Sequence, residues 1–466
     1  MNSFLQTDIE QWDDLLAEVR SQATAYLQNI ESVPTSPQVQ DFVSAELPEA
    51  GWGTAQALAF FRQHYQPWMV ASAGPRYWGF VVGGTTPAAM AGDWLTSVFD
   101  ANPQSLQGTG DRSAQLEVET IRSMRQLLGL PDTFTGGFVS GATMSIFTGL
   151  AVARQWAGVQ MGQDIAREGL SVQPIVLAAI PHSAVRKAMA MLGMGSNRLV
   201  KLRTLPNREA VDLEDLEEKL RQYQGQPIIV STSAGTVNTV DFDDFLGVQR
   251  IRQQYPFWWH VDAAFGGFAA CSPQYADRLR GWENADSITV DCHKWMNVPY
   301  DSAVIFTQRK HQHLQVQTFQ NSNAPYLGDP DEDFSYLNFL PDNSRRLRAL
   351  PAWFSLMAYG KAGFADRVEQ SVTCARRLGA ALEASTDFRL VAPVRLNVVC
   401  FTLRQVPERA AEFLALLNQR GKVLMTPTLL GDTFCLRAAF VNFRTTERHV
   451  DEALEELTFV LHSLNT

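Results

Sequence analysis

The sequence predicts an α/β protein built on a mostly parallel sheet with helices on both faces. Three observations carry this. From about residue 90, short runs rich in β-branched and aromatic residues alternate with helical patterns. The runs are continuously apolar, as strands buried on both faces are. The chemically unusual residues fall directly after the runs, where open parallel sheets bind ligands. A length of 466 residues with 45% hydrophobic and 19% charged side chains is ordinary for a globular protein of several units.

Taken in order, residues 13–30 space Leu15, Leu16, Val19, Ala23 and Leu27 as an amphipathic helix, which residues 32–37 punctuate. Residues 74–87, rich in Gly, Thr and aromatics, read as a loop. The uncharged stretch 133–153 is long enough to cross a bilayer, but it opens with Gly136, Gly137, Ser140 and Gly141. It reads as a glycine-rich turn leading into a buried helix. Strands are expected at 175–180, 227–232, 257–261, 287–290 and 303–307, with a helix at 183–191. Residues 344–363 read as a long helix with a basic head. Beyond it, a helix at 375–384, a strand at 395–403 and helices at 407–420 and 450–464 make a smaller α/β unit. The expected division is a helical N-terminal segment, 1–88, a large domain, 89–350, and a small C-terminal domain, 351–466.

The 39 Lys+Arg against 49 Asp+Glu give a net charge of −10, which argues against nucleic acid or an anionic membrane as the main partner. Five cysteines, at 271, 292, 374, 400 and 435, form no C-x-x-C and fit a reducing compartment. No apolar run follows the N-terminus, so a cytoplasmic protein is expected.

Four motifs carry chemistry. In Ser287-Ile-Thr-Val-Asp-Cys-His293-Lys294-Trp295 a lysine follows a strand between His and Trp, a setting that favours a free amine nucleophile. In His260-Val-Asp262-Ala-Ala264 a carboxylate ends an aromatic strand, where burial demands a cation or strong donors. Asp262 precedes Lys294 by 32 residues, about one β-α-β unit, so the two can emerge from neighbouring strands. In Gly136-Gly-Phe-Val-Ser140-Gly141-Ala142-Thr143 small residues open a helix whose N-terminus favours an anion. The loop matches no nucleotide fingerprint. Finally, His182 in Pro181-His-Ser183 sits directly after a strand, where its ring can stack on an aromatic ligand. Each motif has a bland reading: a surface lysine, a helix cap, a structural turn, a solvated histidine. Together they supply an imine-forming lysine, an acid for a ring nitrogen, a phosphate cup and a stacking ring, the requirements of pyridoxal 5'-phosphate.

With these motifs in this order the sequence resembles the pyridoxal-phosphate-dependent group II amino-acid decarboxylases. The resemblance also rests on Pro75-Arg-Tyr-Trp-Gly-Phe80, Gly235-Thr236-Val-Asn, Tyr326-Leu327 and Ser344-Arg-Arg-Leu-Arg-Ala-Leu. It implies a fold-type I architecture with a seven-stranded large-domain sheet, and an enzyme converting an L-amino acid to its amine and CO2. By resemblance, Lys294 holds the cofactor as an imine, Asp262 pairs with the pyridinium nitrogen, Ala264 packs beneath the ring and His182 stacks above it. Gly141, Ala142 and Thr143 bind phosphate with His293 nearby, and Thr236 contacts cofactor or substrate. Tyr326 falls where the family carries a mobile-loop proton donor. Trp78, Phe80 and Val81 line the side-chain pocket, whose apolar character favours an aromatic or aliphatic substrate over glutamate. A homodimer with a shared active site is expected, with no metal, nucleic acid or membrane partner.

Rival readings are other reactions on the same cofactor: aldehyde formation, transamination or aldol cleavage. A transaminase would want an arginine for the substrate carboxylate, and Arg437 is the small-domain candidate. A non-catalytic scaffold sits badly with an intact Lys294 and Asp262. A hydrolase lacks G-x-S-x-G. His311-Gln-His313 resembles half a metal site without a third ligand and reads as solvated loop.

Overall fold

The computed structural model describes residues 2–38, 43–106, 111–320 and 334–465. Packing groups the chain into a large unit, Gly83–Thr373 with Ala392–Val398, and a small one, Met1–Val82, Cys374–Val391 and Val399–Thr466.

The large unit holds a seven-stranded sheet: β1 (Phe134–Val139), β2 (Ile175–Ala178), β3 (Leu199–Lys201), β4 (Ile228–Ser233), β5 (Trp258–Asp262), β6 (Ser287–Asp291) and β7 (Ala303–Gln308). Their order is β1-β7-β6-β5-β4-β2-β3. β7 runs antiparallel to both β1 and β6, and the pairs β2–β3, β2–β4, β4–β5 and β5–β6 are parallel. The five strands read from apolar runs appear within about two residues of their expected limits. The expected glycine-rich turn into a buried helix is shorter than read: Ser140 and Gly141 form it, and Gly136 and Gly137 do not take part. Residues 134–139 form an edge strand, because a side chain at Gly136 would come within 2.6 Å of the Ile305 carbonyl and one at Gly137 within 2.7 Å of Leu340. Here glycine permits close packing, not a turn.

Edge strands leave backbone groups unpaired. On β1 the outward carbonyls are met by side chains. Phe134 accepts from Arg125 (2.9 Å), Gly136 from the Tyr336 hydroxyl (3.4 Å) and Phe138 from Arg345 (2.9 Å). The Phe138 N–H donates to Glu117 Oε1 at 2.8 Å, and Glu117 in turn pairs with Arg345 at 2.6 Å, both side chains being wholly buried. This buried ion pair substitutes for a missing eighth strand and fixes the end of β1 just before the turn into the helix Ala142–Gln160.

In the small unit a four-stranded sheet has the order β10-β11-β9-β8, from β8 (Phe388–Leu390), β9 (Val398–Leu403), β10 (Thr426–Leu430) and β11 (Thr433–Ala439). The β10–β11 hairpin was not legible in the sequence. The N-terminal residues belong to this unit: Trp78 donates its backbone N–H to Leu424 and packs its ring on Phe440, and Asn442 donates to the Ala73 and Gly74 carbonyls. The long helix Ala349–Ala384 is two helices merged across a kink at Gly360. Among the described residues no helix is long and apolar enough to cross a membrane.

Replacing Arg345 with Leu strands the Glu117 carboxylate in the core. It is expected to lower stability by about 3–5 kcal/mol, read as a lower urea midpoint. A change under about 1 kcal/mol would show that the pair does not clamp the strand.

Candidate active site

β5 and β6 are adjacent and parallel, so their C-terminal ends open on the same side. β5 ends in Asp262. β6 ends in Asp291, and a turn follows that carries His293 and Lys294. The turn is locked from two directions. Asn297, in left-handed backbone geometry at φ 57°, donates from Nδ2 to the Gly83 carbonyl (2.6 Å) and to the Lys294 carbonyl (3.3 Å). Gly83 lies so close that a Cβ there would meet the Lys294 carbonyl oxygen at 1.8 Å. The lysine backbone therefore has little freedom.

Lys294 Nζ lies 3.3 Å from Asp291 Oδ2 and 5.8 Å from the centre of the Phe265 ring. Asp291 Oδ1 lies 3.2 Å from His293 Nε2. Burial opposes the Asp291 charge, but Lys294 and His293 outweigh it and hold its carboxyl below the ordinary range. His293 Nδ1 accepts from the Ser302 N–H at 3.3 Å, so Nε2 bears the proton of the neutral ring. The ring stacks on Tyr300 with centroids 4.0 Å apart, and its Cε1 would touch a side chain at Gly141 at 3.4 Å.

Asp262 behaves oppositely. Burial raises its pKa, and the fields of His182 and Lys294 pull against that shift. Oδ1 accepts from the Ala264 N–H at 3.2 Å, and the second oxygen has no hydrogen-bond partner among the described residues. His182 Nδ1 accepts from the Ala184 N–H at 3.2 Å and so caps the helix Ser183–Met191. The helix Ala142–Gln160 begins after Gly141 with no side-chain cap, which leaves the N–H groups of its first turn, at Ala142 and Thr143, for an anion.

The structure thus brings Asp262, His182, Lys294 and His293 together with Gly141, at the ends of β5, β2, β6 and β1. Ala264 follows Asp262 and is half-buried. Thr236 is buried in a knot of its own: its hydroxyl donates to Glu209 Oε2 at 2.5 Å and accepts from the Asp241 N–H at 3.0 Å. Trp78, Phe80 and Val81 lie in the small unit. Trp78 is buried and bonds its indole N–H to the Pro75 carbonyl, whereas Phe80 is 63% exposed at φ 57°, next to Val81 at φ 59°. Arg437 stands on β11, half-buried, opposite Thr426. Tyr326 lies outside the described residues. The solvated-loop reading of His311 is corrected: its Nε2 meets Asp286 at 2.8 Å and its ring packs 4.5 Å from Trp258. Asp291 went without a role in the sequence, although it stands three residues before Lys294.

These residues suit pyridoxal phosphate: an acid with an open oxygen, a lysine whose side chain is 18% exposed, and an uncapped helix start beside a histidine. Fold and site define the class of fold-type I pyridoxal-phosphate enzymes. The family model of the pyridoxal-dependent decarboxylase conserved domain matches residues 45–404, and the chain belongs to that family. It is 26% identical to an aromatic-L-amino-acid decarboxylase of Bacillus atrophaeus, over 96% of this chain and 94% of that protein. It is 24% identical to a 4-hydroxyphenylacetaldehyde synthase of Rhodiola rosea, over 92% and 90%. The crystal structure of Oryza sativa TDC with PLP and tryptamine superposes with a TM-score of 0.90 at 23% identity, covering 98% of each chain. The protein is a pyridoxal-phosphate-dependent carboxy-lyase acting on amino acids.

Borohydride treatment of the cofactor-loaded protein is expected to fix the cofactor to Lys294, identified by peptide mapping. Lys294→Ala should retain weak, reversible cofactor binding and no turnover. A label on any other lysine would refute the assignment.

Proposed function

We propose that the enzyme decarboxylates an aromatic L-amino acid to its amine, and that the open oxygen of Asp262 beside Lys294 is the observation that carries the residue roles. Bound pyridoxal phosphate supplies an electron sink for the bond between Cα and the departing carboxylate. Lys294 would hold the cofactor and yield to the substrate amine. Asp262 would accept a hydrogen bond from the ring nitrogen and keep it protonated, a preorganised stabilisation of developing negative charge. His182 would cover one ring face and Ala264 the other. The first-turn N–H groups of Ala142 and Thr143, with Gly141 and His293, would bind the phosphate. Thr236 would act through its turn at the end of β4. Tyr326 would deliver the proton to Cα.

The aromatic substrate is supported by the activities for which the relatives are named, including a tryptophan decarboxylase of Oryza sativa, and by the exposed Phe80. Trp78, Phe80 and Val81 would form the side-chain pocket. We further read the enzyme as a cytoplasmic homodimer with a shared site. Trp12 at 62% and Leu47 at 97% exposure in the small unit, and Val98 and Phe99 at 69% and 62% in the large one, are apolar surface of the kind partners cover. The second reading is aldehyde formation, which the similarity to 4-hydroxyphenylacetaldehyde synthase favours.

Two experiments test this. A panel of amino acids assayed for CO2, amine, aldehyde and oxygen uptake is expected to give kcat/KM for tryptophan, tyrosine or phenylalanine at least about tenfold above glutamate, whose charge an apolar pocket disfavours. Equal turnover of glutamate would sink the aromatic assignment, and aldehyde with oxygen uptake would select the second reading. Tyr326→Phe is expected to leave cofactor binding intact and cut amine formation by about 10²–10⁴-fold. Amine formation at the parent rate would place the proton donor elsewhere.

A further inference from the structure

Two carboxylates share the strand ends with Lys294, and the function given above assigns a task to only one of them. Asp262 ends β5 and Asp291 ends the neighbouring β6. The lysine sits with Asp291. Its Nζ lies 3.3 Å from Oδ2, whereas no ion pair joins it to Asp262 among the described residues. The Asp291 side chain is 2% exposed, so water hardly screens the pair. The Phe265 ring, its centre 5.8 Å from Nζ, is a second feature that favours a cation at this place.

Asp291 is held where it is. Its backbone N–H donates to the Ala264 carbonyl at 2.8 Å, and the N–H groups of Cys292 and His293 both donate to the Ser302 carbonyl, at 3.0 and 3.1 Å. Its other oxygen, Oδ1, lies 3.2 Å from His293 Nε2, on a ring that Ser302 and Tyr300 fix. No rival anion comes from the remaining groups. His182 acts on Asp262. His260, beneath the strand ends between Ser287 Oγ (2.8 Å) and Thr289 Oγ1 (3.4 Å), stays neutral because burial pushes its pKa down to about 3. The two carboxyls respond in opposite ways. Burial raises both, but Lys294 is the strongest opposing influence on Asp291 and brings it below the ordinary range. Asp262, opposed by His182 more than by Lys294, stays above it.

We propose that Asp291 is a positioning residue for Lys294, the anion that holds its free amine as an ammonium on the β6 side of the site. The consequence lies in exchange with substrate. An ammonium has donors and no lone pair, so it cannot attack carbon. When a substrate ammonium takes the place of Lys294 on the cofactor, its carbon–nitrogen bond replaces that of the lysine, and the two protons its nitrogen gives up end on Lys294. Asp291 then keeps the displaced lysine charged and delays its return. The same pairing leaves the open oxygen of Asp262 to the ring nitrogen. The inference rests on Lys294 as the lysine of the cofactor.

The test treats the full-length, cofactor-free protein with acetic anhydride, which acylates neutral amines, and reads the Lys294 peptide by mass spectrometry. The exposed Lys187 and Lys201 are internal references, and circular dichroism checks the fold. Asp291→Asn keeps the shape and loses the charge, and Lys294 should then be labelled about tenfold faster than in the parent, the lower end of what a nearby opposite charge is worth. Asp291→Glu keeps the charge, and Asp262→Asn leaves the pair intact, so in both the rate should stay within about threefold of the parent. A merely structural role predicts that Glu disturbs the turn as much as Asn does, with the reference lysines accelerated too. Where Asn disturbs the fold, Asp291→Ser repeats the measurement. The proposal is overturned if the folded neutral variant accelerates labelling by less than about threefold, or if Asp291→Glu or Asp262→Asn accelerates it equally. In the cofactor-loaded parent Lys294 should escape the label. If it does not, the lysine assignment itself fails, a result separable from the behaviour of the variants.

Discussion

A largely desolvated carboxyl with one hydrogen bond is costly, and Asp262, half-buried at the end of β5, is such a group. Desolvating an ionised carboxylate is unfavourable by several kcal/mol unless cations or donors meet it. The protein provides a single backbone donor at Ala264 and the fields of Lys294 and His182, which leave the pKa still raised. A cationic N–H placed against the second oxygen would relieve this strain, and the ring nitrogen of pyridoxal phosphate is one. The architecture follows from that need. Lys294 must rise from a strand next to the one that bears Asp262, and both strands must end on the same side. Parallel pairing of β5 and β6 meets both conditions.

Such an arrangement is useful only if its backbone is held still. Three locks serve this end in the large unit. Asn297 ties the lysine turn to Gly83, using an Asn where left-handed geometry is needed. The Glu117–Arg345 pair fixes the end of β1, one step before the cup. Glu209 gathers the hydroxyls of Thr236 and Thr239 and so ties the turn after β4. Asn297 meets the Lys294 carbonyl directly, and the other two locks act on segments that flank the site.

What the sequence revealed divides along physical lines. Lys294 and Asp262 were legible because a nucleophile and an acid directly after apolar strands are chemically out of place. The five central strands were legible because burial on both faces makes them continuously apolar. β1 was not, because two glycines that serve packing look like turn residues. The β10–β11 hairpin was hidden by Thr426-Pro-Thr428, which lacks the apolar pattern of a buried strand. His311 looked solvated because its partner Asp286 lies 25 residues away, a contact that spacing cannot show. Asp291 illustrates the remaining limit. A carboxylate three residues before a lysine meets it only if the chain turns, and the turn is held by Asn297 and Gly83, which lie just outside the motifs and are far apart in sequence.

The distribution of charge around the site has its own logic. Above the strand ends the groups are ionic: Asp291 is held ionised by Lys294 and His293. Below them the layer is polar but neutral, and the histidine at its centre stays uncharged. A protonated imidazole two residues before Asp262, on the same face of β5, would hold the carboxylate ionised by itself and reduce its demand for a cationic partner. A polar layer without charge avoids that outcome and leaves at Asp262 a carboxyl that an incoming cation completes.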